Sequence, residues 1–146
     1  MLRTEENCFK MNNLKFRAYI KSIQKIVDVT EIDFKNKMAT LDIATNKVCP
    51  EFSFWWKETQ LAFSQVIIMQ STGLFDKYGV EIYEGDIIDV GTRIPFLNKI
   101  QRDEETTYLK LVPLDKRWTE SYFTNFEDKS RYEVVGNIYE NKELLG

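Results

Sequence analysis

The stretch that most constrains the fold is residues 65–90, QVIIMQSTGLFDKYGVEIYEGDIIDV. Val66, Ile67, Ile68 and Met69 form an apolar run between two glutamines, the length of a buried strand rather than a helix. Asp76-Lys77-Tyr78-Gly79 then carries turn chemistry. The Asp carboxylate can accept backbone N–H groups ahead of it, and Gly at the fourth position tolerates a positive φ. Val80, Ile82 and Tyr83 resume a strand, Glu84-Gly85-Asp86 makes a second corner, and Ile87, Ile88 and Val90 continue the β pattern. Such a stretch reverses direction twice in 26 residues, so it belongs to an antiparallel sheet.

The flanks read the same way. Leu14, Phe16, Ala18 and Ile20 alternate with Lys15, Arg17, Tyr19 and Lys21, the period-two signature of a half-buried strand. Residues 25–29 give a second strand. Asp33 to Lys37 has turn composition, and residues 38–44 place Ala39, Leu41 and Ile43 on one side. Asn46-Lys47 suits a hairpin tip, followed by a strand with Phe52, Phe54 and Trp56 on one face and Trp55 on the other. Residues 57–64 have no clear period. Gly91 to Asn98, which contains Pro95, reads as a loop or sheet edge, and 101–105 as a solvated charge run. Residues 106–114 regain β character. Trp118, Tyr122, Phe123 and Phe126 fit either an amphipathic helix or a strand. Residues 132–139 form a last strand kinked near Gly136-Asn137, and Asn141 is placed to cap a short turn over 142–145. Residues 1–13 lack any period and read as a flexible leader.

Composition narrows the chemistry. The chain has no histidine, which removes Ser-His-Asp and Cys-His catalysis, imidazole acid–base work and His-ligated zinc. Cys8 and Cys49 have no metal-site or redox-motif spacing and read as two free thiols in a reducing cytoplasm. The net charge of −3 supplies no overall basic field for nucleic acid. Residues 1–70 hold ten Lys/Arg against eight Asp/Glu, whereas 71–146 hold ten against fifteen. No stretch is apolar enough for a membrane span, so a soluble chain without membrane contact is expected.

Three blocks carry a resemblance to a known family: LKFRAYIKSIQKIVDV at 14–29, IMQSTGLFDKYGVEIYEGDIIDV at 68–90 and YEVVGNIYENKELL at 132–145. Together they resemble the YopX family of bacteriophages and prophages. Tyr19 stands where a Trp is usual in that family, and Lys142 where a Pro is usual. The resemblance implies a mainly β fold with one or two short helices: N-terminal β-hairpins over 14–64 leading into a small SH3-like barrel over 65–146, in one domain. It implies phage origin, hence the cytoplasm of a bacterial host, and carries over no catalytic residue.

Three groups of residues are candidates for function. Glu81, Glu84, Asp86 and Asp89 invite a metal reading, yet their spacing fits no EF-hand loop, and Asp86 is better placed to brace its corner. No metal or other cofactor is therefore expected, and a carboxylate or metal hydrolase is the enzyme reading left open. Lys15, Arg17, Tyr19 and Lys21 on one strand face could follow a phosphate backbone while the ring stacks on a base. Trp55, Trp118 and Tyr122 lie outside the three blocks and are expected to be exposed partner-binding aromatics. The expected function is that of a non-enzymatic phage accessory protein that binds a host or phage protein, inhibiting a host enzyme or defence system. The alternative is a nucleic-acid-binding factor in phage replication or transcription. Sheet edges also leave self-association open.

Overall fold

The computed structural model describes residues 14–42, 58–123 and 131–146. These are mainly strand, arranged in two antiparallel sheets, and their helical content is confined to 3-10 turns. The chain is thus mainly β, as the alternating patterns require. It divides into two compact units, Met1–Gly73 and Leu74–Gly146. The leader over 1–13, Cys8, Cys49, the hairpin tip at Asn46-Lys47 and the strand bearing Trp55 lie outside the described residues.

The first unit is a meander. Strands β1 (Phe16–Ile20), β2 (Lys25–Asp33), β3 (Met38–Asp42) and β4 (Glu58–Ala62) pair in succession. Strand β5 (Val66–Phe75) closes the other side of β1, with Phe16 opposite Gln70 and Ile20 opposite Val66. The run 66–69 therefore belongs to the first sheet, and the boundary between units falls within β5 rather than at 64/65. The physical reason is the register: all five residues of β1 find partners in 66–70. One face buries Ala18, Ile20, Val27, Ala39, Leu41 and Val66 in an aliphatic core, which rewards the period-two spacing read from the sequence. Residues 58–62, aperiodic in sequence, are a strand because β3 offers them a complete ladder from Met38 opposite Ala62 to Asp42 opposite Glu58. A 3-10 turn (Phe63–Gln65) then leads into β5.

The second unit turns more sharply. Strands β6 (Glu81–Tyr83), β7 (Asp86–Asp89), β8 (Leu97–Arg102), β9 (Leu109–Pro113), β10 (Ser121–Tyr122) and β11 (Glu133–Asn137) are short. Five of them form the sheet β10-β9-β8-β7-β11, while β6 follows β5 in the order β4-β3-β2-β1-β5-β6. Ile82, Ile88, Ile100, Leu111, Phe123 and Tyr132 make the core, with the rings of Phe123 and Tyr132 stacked at 6.0 Å. A bulge separates Val134 from Gly136 where β11 meets β7, next to the expected kink. Residues 97–102 are a strand rather than a loop and charge run, because Asn98 and Ile100 are buried between β7 and β9.

Side chains hold the corners of this unit. The Asp76 carboxylate is buried and accepts N–H groups from Tyr78 (2.8 Å), Val80 (2.9 Å) and Val134 (3.0 Å). Gly79, at φ +80°, donates to the Asp76 carbonyl at 3.0 Å and closes the turn read from Asp-Lys-Tyr-Gly. Burial pushes the Asp76 carboxyl up, but the N–H groups of Val134, Val80 and Tyr78 outweigh it and hold the group below its ordinary value. Asp86, also buried, accepts the Tyr83 N–H at 2.8 Å and braces the second corner. The short C-terminal 3-10 turn (Lys142–Leu145) receives no side-chain cap from Asn141. Asn141 instead faces back along the chain, where its Oδ1 accepts the Asn137 N–H at 3.1 Å.

Candidate interaction site

The carboxylates that suggested a metal site are each engaged separately. Asp86 serves its corner, Glu84 pairs with Arg102, and Glu81 accepts the Tyr83 hydroxyl at 3.0 Å. Asp89 accepts the N–H groups of Gly91 (3.0 Å) and Phe96 (3.3 Å). Among the described residues no three His, Cys, Asp or Glu side chains gather as a metal-holding group.

The basic face on β1 is divided as well. Tyr19 is buried, with only 7% of its surface exposed, so its ring is not a platform for a base. It sits within β1, an inner strand between β2 and β5. Lys15 and Lys21 are exposed at its ends, Arg17 is half-buried, and Lys21 donates to the Ser64 carbonyl at 2.9 Å.

Trp118 and Tyr122 are both exposed, at 61% and 51%, but they belong to different aromatic pairs. Tyr122 lies on β10 and meets Tyr108 edge-on at 6.1 Å, with the Lys110 ammonium 5.9 Å from its ring. Lys110 is tied to Asp103 at 2.5 Å and to Glu120 at 2.8 Å, in that order of effect, and both raise its pKa. The same lysine, with the Thr106 N–H, holds the Asp103 carboxyl far below its ordinary range. This region is a charge-paired surface with two rings upon it.

Trp118 instead borders a cleft of about 650 Å³. Two connections build it. The segment between β7 and β8 supplies Ile94, Pro95 and Phe96, and the segment between β9 and β10 supplies Leu114 and Trp118. Leu144 of the C-terminal turn adds a further apolar wall. The first segment is fixed by Asp89 and by the Val90 N–H on the Phe96 carbonyl at 3.3 Å. The second is fixed by the Leu114 N–H on the Leu97 carbonyl at 3.0 Å and the Trp118 N–H on the Asp115 carbonyl at 3.1 Å. The rings of Phe96 and Trp118 meet edge-on at 5.4 Å across the two segments. Ile94 is 77% exposed, so the cleft presents large apolar surface to solvent.

Its rim is charged. Arg117 grips Asp115 with Nε at 3.0 Å and Nη2 at 2.6 Å, and the Arg117 N–H also reaches Oδ1 at 3.0 Å. That side-chain pairing, with the backbone bond second, lowers the Asp115 pKa to about 2 and raises that of Arg117. Arg93 stands exposed on the opposite segment. The sequence marked only Trp118 of this cleft. An Ile-Pro-Phe run inside a loop was the available sign of the rest, because a loop with no core to join has little reason to carry two large apolar side chains.

The YopX protein family model matches residues 15–146, nearly all of the described fold and the whole cleft. The chain belongs to the YopX family. Among solved structures, this YopX chain is similar to the crystal structure of protein EF1440 from Enterococcus faecalis. The likeness has 25% identity and a TM-score of 0.52 and covers 91% of this chain and 98% of that one. No curated protein matches it. In this YopX chain no helix among the described residues is long and apolar enough to cross a membrane.

Proposed function

We propose that this YopX chain is a non-enzymatic phage accessory protein that binds a host or phage protein through the Trp118 cleft in the cytoplasm of a bacterial host. Inhibition of a host enzyme or antiviral defence system is the consequence we assign to that binding. The observation that carries the reading is the cleft itself: Trp118 and Ile94, both mostly exposed, beside Phe96 and Leu114, on loops pinned by backbone hydrogen bonds. Exposed Trp in a preformed apolar recess is the kind of anchor that dominates protein interfaces. The engaged carboxylates and the buried Tyr19 give less support to a metal enzyme or a base-stacking surface.

The test is affinity purification of the tagged full chain from infected or lysogenic cells, with and without nuclease. A stoichiometric, nuclease-resistant protein complex is expected, lost with Trp118→Ala and kept with Lys15→Glu plus Lys21→Glu. Recovery that vanishes with nuclease and falls steeply with salt would transfer the assignment to nucleic acid.

A further inference from the structure

We infer that the occupant of the Trp118 cleft is a short partner segment in which an aromatic or aliphatic anchor is flanked by Asp or Glu. This rests on the protein-binding reading above and deepens it by stating the chemistry of the ligand. The floor of the cleft is apolar and accounts for the anchor.

The rim accounts for the acid. Residues 71–146 carry ten Lys/Arg against fifteen Asp/Glu, yet the two segments around the cleft invert this balance. They bring Arg93, Lys116 and Arg117 against Asp115 and Glu120, and of these only Arg93, Arg117 and Asp115 line the cleft, Glu120 being paired with Lys110. Asp115 is already satisfied by the Arg117 fork, so it offers little to an incoming cation. Arg93 is exposed and has no hydrogen-bond or ion-pair partner among the described residues. The Arg117 side chain is 86% exposed, so its remaining N–H groups face solvent. An arginine beside an apolar recess matches a carboxylate with paired N–H donors, whereas a basic segment would meet repulsion from Arg93 and Arg117.

The tested molecule is the full chain, immobilised and challenged with a displayed library of random 12-residue peptides, with Trp118→Ala in parallel as the subtracting control. Circular dichroism verifies that the control is folded. Enriched peptides are expected to combine Trp, Phe or Leu with neighbouring Asp or Glu. Arg93→Glu should weaken the leading acidic peptides at least tenfold, and raising salt from 0.05 to 0.5 M should weaken them several-fold. Uncharged or basic winners, or enrichment equal on the Trp118→Ala chain, would overturn the inference. So would sedimentation showing a dimer abolished by Trp118→Ala, which would make a second copy the occupant. A nuclease-resistant, Trp118-dependent complex from cells alongside basic winners would keep the protein-binding function and reject only the acidic ligand. Loss of that complex would reject the function itself.

Discussion

The two units of this chain solve the same problem by different means. In the first, long ladders and an aliphatic core do nearly all the work, and among the described residues Thr40 is the buried polar one. Its hairpin turns even place Gln24 and Lys37 at positive φ without glycine. In the second, strands of two to six residues meet at tight corners, and Asp76, Asp86, Asn98 and Asn137 are buried among them. A short strand leaves more backbone N–H groups without a ladder partner, and buried side-chain oxygens take their place. The comparison teaches that the first unit depends on apolar packing, whereas the second depends on packing together with a few buried polar clasps.

Core truncation should hurt both units most and about equally. Leu41→Ala and Ile88→Ala, each at a fully buried position, are expected to cost about 3 kcal/mol. Hydrogen exchange at β2–β3 amides reads the first and at β7–β8 amides the second. A cost below about 1 kcal/mol at either site would show that its core is looser than described.

Acid should separate the units. Asp76→Asn is expected to cost about 2 kcal/mol at neutral pH, because the part-buried N–H groups of Tyr78, Val80 and Val134 lose a charged acceptor. The folded carboxyl lies below its unfolded value, so its contribution is complete above the ordinary carboxylate pKa. Below about pH 4 the unfolded chain takes up the proton first, and the contribution falls until the folded group is protonated too. Urea unfolding from pH 7 down to pH 2 should therefore show a smaller acid loss in Asp76→Asn than in the parent. Equal slopes would remove the clasp from the comparison.

A smaller effect lies in the corners. A Cβ on Gly91, at φ +73°, would stand 2.7 Å from both Cβ and O of Arg131, so Gly91→Ala should cost about 2 kcal/mol. Gly79 has nothing within 4 Å of that position, and Gly79→Ala should cost only the conformational share, about 1 kcal/mol. Thermal melts of the two variants rank them. Least of all, Arg117→Ala breaks an exposed pair and should leave the melting temperature unchanged while weakening acidic peptides in the cleft. A large drop in melting temperature would recast the rim as structure.

Much of this was legible in sequence where a local rule coincides with a tertiary need. The alternation at 14–21 gave β1, the Asp-Lys-Tyr-Gly turn gave the Asp76 clasp on Tyr78 and Val80, and Asp86 was placed as a corner brace. The third bond of Asp76, to Val134, joins distant parts of the chain and leaves no local trace. Tyr19 is buried rather than exposed, which spacing could not show: alternation distinguishes two faces of a strand without saying whether the second is open to solvent. Trp118 to Phe126 fitted two periods at once. Tyr122 is in a strand and Phe123 is buried, while Phe126 lies outside the described residues. The cleft was half visible: Trp118 stood out, whereas Arg93, Ile94 and Leu144 converge through connections that spacing cannot reveal.

The span between Asp76 and Val134 also sets a timetable for the growing chain. The ladder partners of β1 through β4 all lie before residue 74, so these four strands can pair with one another and with the start of β5 while later codons are still being read. The carboxylate must wait 58 residues for its third N–H, roughly 3–12 s at ordinary elongation rates. During that interval Ile87 and Ile88 have no β11 beside them. Nascent chains stalled before residue 132 should be protease-resistant across β1 to β3 and sensitive beyond Asp76, a window in which a holdase or a binding partner meets the second half unfinished.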